Sequence, residues 1–231
     1  MGEAIGTRLA ARGASIVFTH RGPADAAQAA AASIIEAGGQ AAVLPVDVTS
    51  APSVEALIAS VDEKFGRLDV LINMASVYRS VSFDTLTEAE WHAQIQVDLH
   101  GTFRMCRAAV PLMRRSGGGR IVNFTDWVVA SGRPRYQGYV PYYVAKAGVK
   151  ALTEVLALEL AGDGILVNAI APGPILPPAG STTDEHDAVA QSTPLGQWGG
   201  PDEIAKIVDA LIDSDFVTGE TIRVDGGRHI K

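Results

Sequence analysis

With 231 residues, 47% of them hydrophobic, the chain is long enough for one well-buried domain and too apolar to be disordered. The net charge of −7 comes with no basic block, which argues against a nucleic-acid binder. The single Cys106 excludes an internal disulfide and fits a reducing, cytoplasmic compartment; no apolar run is long enough to span a bilayer.

Short β-branched runs alternate with segments of helical period. SIVFT (15–19) reads as a strand, and an Ala-rich helix follows from about Pro23 to Ala37, stopped by Gly38 and Gly39. AAVLPV (41–46) is a second strand, after which Val54, Leu57, Ile58, Val61 and Phe65 keep helical spacing. Further strands are expected at 68–73, 120–125, 165–171 and 220–224. Gly200-Pro201 opens a last helix whose Ile204, Ile207, Val208, Leu211 and Ile212 form one stripe. Apolar strands separated by helices mean a parallel sheet covered on both faces: one doubly wound, Rossmann-like α/β domain spanning 1–231. Residues 174–200 are rich in Pro and Gly with little periodicity, and are expected to form a lid over the site. The helix from Tyr142 to Leu160 is apolar on more than one face, so a second subunit is expected to cover part of it, in a homodimer or homotetramer.

The strongest chemical signal is Tyr142 and Lys146, one helical turn apart, with Asp126 upstream. Positions i and i+4 share a helix face. Lowering a phenol from ~10 to about 7 needs roughly 4 kcal/mol of preference for the phenolate. A cation about 4 Å away at an effective dielectric of ~20 supplies an energy of that order. The pair alone is also ordinary helix surface. Other features carry less: Gly117-Gly118-Gly119 precedes a strand and is no phosphate cradle. His92 and His100 stand too far apart for one metal, and Asp184, Glu185, His186 and Asp187 read as a solvated loop, so no metal site is expected.

In order and spacing, Gly2 with Ala4-Ile5, Asp47-Val48, Asn73-Met74-Ala75-Ser76, Tyr142/Lys146, Pro172-Gly173 and Val224-Asp225-Gly226-Gly227 resemble the short-chain dehydrogenase/reductase family almost end to end. Within it, His20-Arg21 after the second strand of that family, the Asn-x-Ala-Ser motif and Asp126 in place of the usual Ser resemble the pteridine-reductase branch. The resemblance implies that Tyr142 is the general acid, and that Lys146 lowers its pKa and holds the nicotinamide ribose. It implies that Asp47 meets the adenine, that Asn73 and Ala75 line the cofactor channel, and that Pro172, Gly173 and Ile175 cover the nicotinamide. Gly2 and Val48 belong to the same cofactor-binding set. Tyr78 falls where that branch stacks an aromatic on the substrate ring; core packing is the alternative.

Two departures carry information. An ionised Asp126 only accepts hydrogen bonds, which suits a ring with N–H donors such as a pterin or dihydrofolate-like substrate. Raised by desolvation, it could instead donate a proton. It could equally be a tolerated substitution in an ordinary ketone or 3-oxoacyl reductase. Asp98 replaces a usual Asn and could pair with Lys146. An acid at the end of the second family strand would select NAD, whereas Thr19-His20-Arg21 offers a guanidinium for a 2′-phosphate. NADPH is therefore expected over NADH. Gly2 aligns with the last glycine of the family's Thr-Gly-x-x-x-Gly-x-Gly loop. The resemblance thus implies that the first strand and most of the phosphate cradle are absent from this chain and that the natural product starts upstream. A third possibility is a catalytically silent member serving as a binding or oligomerisation module.

Overall fold

The computed structural model describes residues 1–178 and 180–231. The alternation runs α1 (Gly2–Ala10), β1 (Ser15–His20), α2 (Asp25–Glu36), β2 (Gln40–Pro45), α3 (Ala51–Phe65) and β3 (Val70–Asn73). It continues with α4 (Glu88–Ile95), α5 (Thr102–Arg115), β4 (Gly119–Phe124), the short α6 (Trp127–Ala130) and the long α7 (Val140–Leu160). β5 (Ile165–Pro172), α8 (Thr183–Ser192), α9 (Pro201–Asp213) and β6 (Thr221–Val224) close the chain.

Every strand pairing is parallel, as continuous apolar strands between helices require. The strands fall into two sheets, β1-β2 and β3-β4-β5-β6. Among the described residues β1 pairs with β2 and β3 with β4. Alternation along each strand feeds two cores. Ile121 and Val167 join Val54, Leu57, Val61, Ala109 and Met113 from α3 and α5 on one face. Val122 and Ile170 join Ile5 and Leu9 of α1 and Ile204, Val208 and Leu211 of α9 on the other. A side-chain period of two sends neighbouring residues of one strand into different cores, which is what a doubly wound sheet is.

Local signals set the boundaries. Ser50 caps α3, its hydroxyl accepting from the Ser53 amide, and Gly66 (φ 68°) ends it. Thr87 and Glu90 form a reciprocal capping box that starts α4.

Two elements differ from the sequence reading. The stretch 174–200 is not aperiodic throughout: Thr182 and Glu185 form a capping box and start α8. Asp184 and Glu185 thus lie in the first turn of a helix, followed by His186, and not in a solvated loop; acidic groups there complement the helix dipole. Between α4 and α5 the chain adopts a π-helical segment, Gln96–Gly101, which no periodicity announced. Such segments are rare and concentrate at functional sites, and this one carries Asp98.

Candidate active site

The C-terminal ends of the parallel strands bring the predicted groups together, the usual crevice of an open α/β sheet. β4 ends at Phe124, and two residues on Asp126 caps α6, its Oδ1 accepting from the Val128 amide at 2.9 Å. The first two turns of α7 carry Tyr142 and Lys146 against it. The Tyr142 hydroxyl donates to Asp126 Oδ2 at 2.9 Å. Thr125 ties the two elements, its hydroxyl donating to the Lys146 carbonyl at 2.8 Å.

Lys146 is buried, and its Nζ lies 3.1 Å from Asp98 Oδ1 and donates to the Phe124 carbonyl at 3.0 Å. Asp98 has no exposed surface. Its carboxylate also accepts from Ser76 Oγ, from the Val77 amide at 3.1 Å and from Gln94 Nε2 at 2.8 Å. A buried charge is tolerable only when paired and hydrogen-bonded, and Asp98 is both. Gly148 lets α7 approach the π-helical segment: a Cβ there would lie 2.8 Å from Leu99 Cδ2.

These partners correct the expected electrostatics of Tyr142. The Lys146 ammonium has partners of its own. It sits 5.7 Å from the ring centroid and is engaged by Asp98 and the Phe124 carbonyl. The Tyr142 hydroxyl is pushed well above its ordinary value, first by burial and then by the Asp126 carboxylate it faces. Burial also raises the Asp126 carboxyl, against the opposing effects of the Val128 amide, the Tyr142 hydroxyl and Lys146. The arrangement is a phenol and a carboxyl that share one hydrogen bond, each with its pKa raised by burial.

Tyr78 is over half exposed, stacks on Tyr139 at 4.6 Å between centroids and meets Tyr142 edge-on at 4.9 Å. Core packing is therefore not its role. Ser76 of the Asn-x-Ala-Ser motif also builds this region, with Gln94, Tyr136, Tyr139 and Trp127, which were not singled out in the sequence. The Gln94–Asp98 spacing of one helical turn and the aromatic density of RPRYQGYVPYY were the signals available.

At the other end, His20 and Arg21 at the end of β1 and Asp47 after β2 line one cavity of about 370 Å³, with Val46 and Ser53. His20 Nδ1 donates to the Gly22 carbonyl at 2.8 Å. The Asp47 carboxyl is held below its ordinary value by the Thr49 hydroxyl and amide. Gly2, at the start of α1, faces Met74 beyond β3. Val48 packs against Gly101, where a Cβ would come within 2.8 Å. Exposed Ala75 follows the end of β3.

Four expected cofactor contacts are buried or partly buried. Asn73 is buried, and its Nδ2 donates to Asn123 Oδ1 at 2.9 Å, with Cys106 Sγ at 3.3 Å. Ile175 is buried in the core that includes α9. Pro172 and Gly173 are only partly exposed; Gly173 packs so closely on Asp225 that a Cβ would lie 2.5 Å from the Asp225 Cβ.

Residues 1–229 match the family model described as enoyl-(acyl carrier protein) reductase. The chain is 39% identical over 239 aligned residues to the short-chain reductase protein NovJ of Streptomyces niveus, covering 99% of this chain and 89% of that protein. It is 36% identical over 232 residues to a 3-oxoacyl-(acyl-carrier-protein) reductase of Synechocystis sp., covering 98% and 92%. Among solved structures, a short-chain dehydrogenase/reductase from Serratia marcescens superposes with a TM-score of 0.91 at 28% identity, covering 99% and 93%. With the fold, the Tyr142/Lys146 helix and these relatives in agreement, the chain belongs to the short-chain dehydrogenase/reductase family and is an NAD(P)-dependent oxidoreductase.

Proposed function

We propose that the protein reduces the ketone of a 3-oxoacyl or related carbonyl substrate with NADPH. The observation that carries this reading is the hydrogen bond from Tyr142 to Asp126 beside the buried Lys146–Asp98 pair. The relatives add to it, because one named a 3-oxoacyl-(acyl-carrier-protein) reductase aligns over nearly the whole chain. That name favours a ketone over the pterin ring suggested by Asp126.

The residues fit a dinucleotide. The cavity at the ends of β1 and β2 is lined by Arg21 and His20, a donor set for a 2′-phosphate, and holds no acid at the end of β1 to repel one. Arg21, His20, Asp47 and Ser53 would hold the adenosine end, and Lys146 the nicotinamide ribose. When bound, the reduced nicotinamide supplies a hydride to the carbonyl carbon.

The chain's own residues supply the proton. As the carbonyl π bond breaks, the oxygen takes the Tyr142 proton. Burial raises the pKa of both Tyr142 and Asp126. When protonated, Asp126 is a donor and would hold the substrate oxygen as a Ser hydroxyl would. Lys146, fixed by Asp98 and 5.7 Å from the Tyr142 ring centroid, is the cation at hand to stabilise the phenolate left on Tyr142. Asp98 is a positioning residue that fixes Lys146. The segment 174–200, including α8, serves as the lid.

Oligomerisation is part of the proposal. Val144, Val155 and Leu158 on α7 are exposed, with Phe103 on α5, and a homodimer or homotetramer would cover them. Buried Cys106, its thiol pushed up to about 12 by burial, is unreactive and suits the cytoplasm.

Steady-state NADPH oxidation tests the reading with a 3-oxoacyl thioester and with a dihydropterin. Turnover of the thioester supports it. Turnover of the dihydropterin alone restores the pterin reading. Loss of NADPH fluorescence binding together with no turnover makes the chain a silent member.

A further inference from the structure

We infer that the substrate carries an aromatic ring close to its reducible carbonyl, and that the ring lies in the pocket formed by Tyr78, Tyr136, Tyr139 and Tyr142. The inference rests on the reductase reading above. It adds a substrate class that the names of the relatives do not specify, and it extends to Tyr136, Tyr139 and Tyr142 the ring-stacking role that the pteridine-reductase resemblance implies for Tyr78.

The observations are geometric. A cavity of about 210 Å³ is lined by those four tyrosines and Tyr143, with Val128, Val140, Val144, Pro134 and Arg135 completing its wall. An apolar cavity of roughly 150 Å³ already admits benzene. The rings are not scattered. Tyr78 stacks on Tyr139 at 4.6 Å and 22°, and Tyr139 meets Tyr142 at 6.3 Å and 72°. Tyr136 continues the row, edge-on to Tyr139 at 6.3 Å and to Trp127 at 6.2 Å. The row therefore ends on the hydroxyl proposed to deliver the proton. A straight acyl chain would be served by aliphatic walls. A run of π faces and edges gains an extra offset or edge-to-face contact only from another ring.

The pocket is also held in shape. The Val81 amide donates to the Gly138 carbonyl at 2.8 Å, which ties the loop of Tyr78 to the segment of Tyr136 and Tyr139. Gly138 has φ 81°, a conformation that favours glycine, and its Cβ would lie 2.5 Å from Ser80 Oγ. Trp127 is buried, with the guanidinium groups of Arg135 and Arg228 within 5.3 and 5.4 Å of its ring centroid. Yet Tyr78 and Tyr136 remain 55% and 41% exposed. Two large aromatic side chains fixed in place and left open to solvent mark a binding surface more than a core.

The test compares 3-oxo-4-phenylbutanoyl and 3-oxodecanoyl thioesters, which match in carbon number and have unconjugated ketones. The wild-type protein should favour the aryl substrate in kcat/KM by roughly ten-fold, mainly through KM, as expected for one or two added aromatic contacts. Tyr139→Leu, which keeps apolar bulk, should bring the aryl-to-alkyl ratio near one, whereas Tyr139→Phe should retain it. A wild-type ratio at or below one overturns the aryl inference and leaves the reductase reading standing. A ratio unmoved by Tyr139→Leu in folded protein also overturns it. Turnover of neither thioester removes both.

Discussion

The Tyr142 hydroxyl donates to Asp126 Oδ2 at 2.9 Å, and burial first, then this facing carboxylate, holds the phenol above its ordinary pKa. Burial alone disfavours a phenolate. A facing carboxylate disfavours it further. The lysine that should ease ionisation is tied to Asp98. The electrostatics therefore favour a neutral Tyr142 before substrate arrives.

Tyr142→Phe should lower the reduction rate by about 10²- to 10⁴-fold, the usual size of a lost general acid. Initial rates of NADPH oxidation check this. The same variant removes a hydrogen bond that favours the ionised Asp126, so the Asp126 carboxyl should titrate at still higher pH. Carbonyl-region NMR titration of labelled aspartate reads that shift, and a downward movement would contradict the geometry.

Asp126 also sets a stability–pH dependence. Its folded pKa is raised above the unfolded value of about 3.9. The folded state thus holds the proton more tightly, and stability is fully present below the unfolded value. It is lost as pH rises from there through the folded pKa, and is level beyond it. Asp126→Asn keeps an oxygen for the Val128 amide and cannot ionise. The Tm difference between variant and wild type should grow in the variant's favour across that window.

Asp98→Ala should leave a buried ammonium without its counter-ion. Breaking a buried pair from one side costs about 3–5 kcal/mol. Ser76, the Val77 amide and Gln94 would lose an acceptor as well. Asp98→Asn, which still offers an oxygen, should cost clearly less. Urea denaturation of the three proteins separates these cases.

Arg21 lies at the end of β1 in the cavity shared with Asp47. Arg21→Glu should reverse the sign of the charge met by a 2′-phosphate. The ratio of kcat/KM with NADPH to that with NADH should fall by at least ten-fold. An unchanged ratio would remove Arg21 from cofactor choice.

The two-sheet arrangement has a signature in hydrogen exchange. β4 lies between β3 and β5, and β5 between β4 and β6. Their amides should be the most protected. Amides of β1 and β3 that face away from β2 and β4 should exchange faster than those bonded to β2 and β4. Uniform protection across β1 and β3 would contradict the split.

Much of the architecture was legible in the sequence because the signals are local. Apolar β-branched runs between helical stripes require parallel strands covered on both faces, and the six strands among the described residues lie where those runs are. The turn that separates Tyr142 from Lys146 is a property of any α-helix. The start of α8 was also written in Thr182 and Glu185, a local capping pattern lost among prolines and glycines. What the tertiary structure decided is which charges meet. Asp98 reaches Lys146 from a π-helical segment on another element, and Tyr78 finds Tyr139 and Tyr142 across two loops. Spacing along one helix tells which side chains share a face. Only packing between elements tells what that face is pressed against, and so whether a phenol is made more acidic or less.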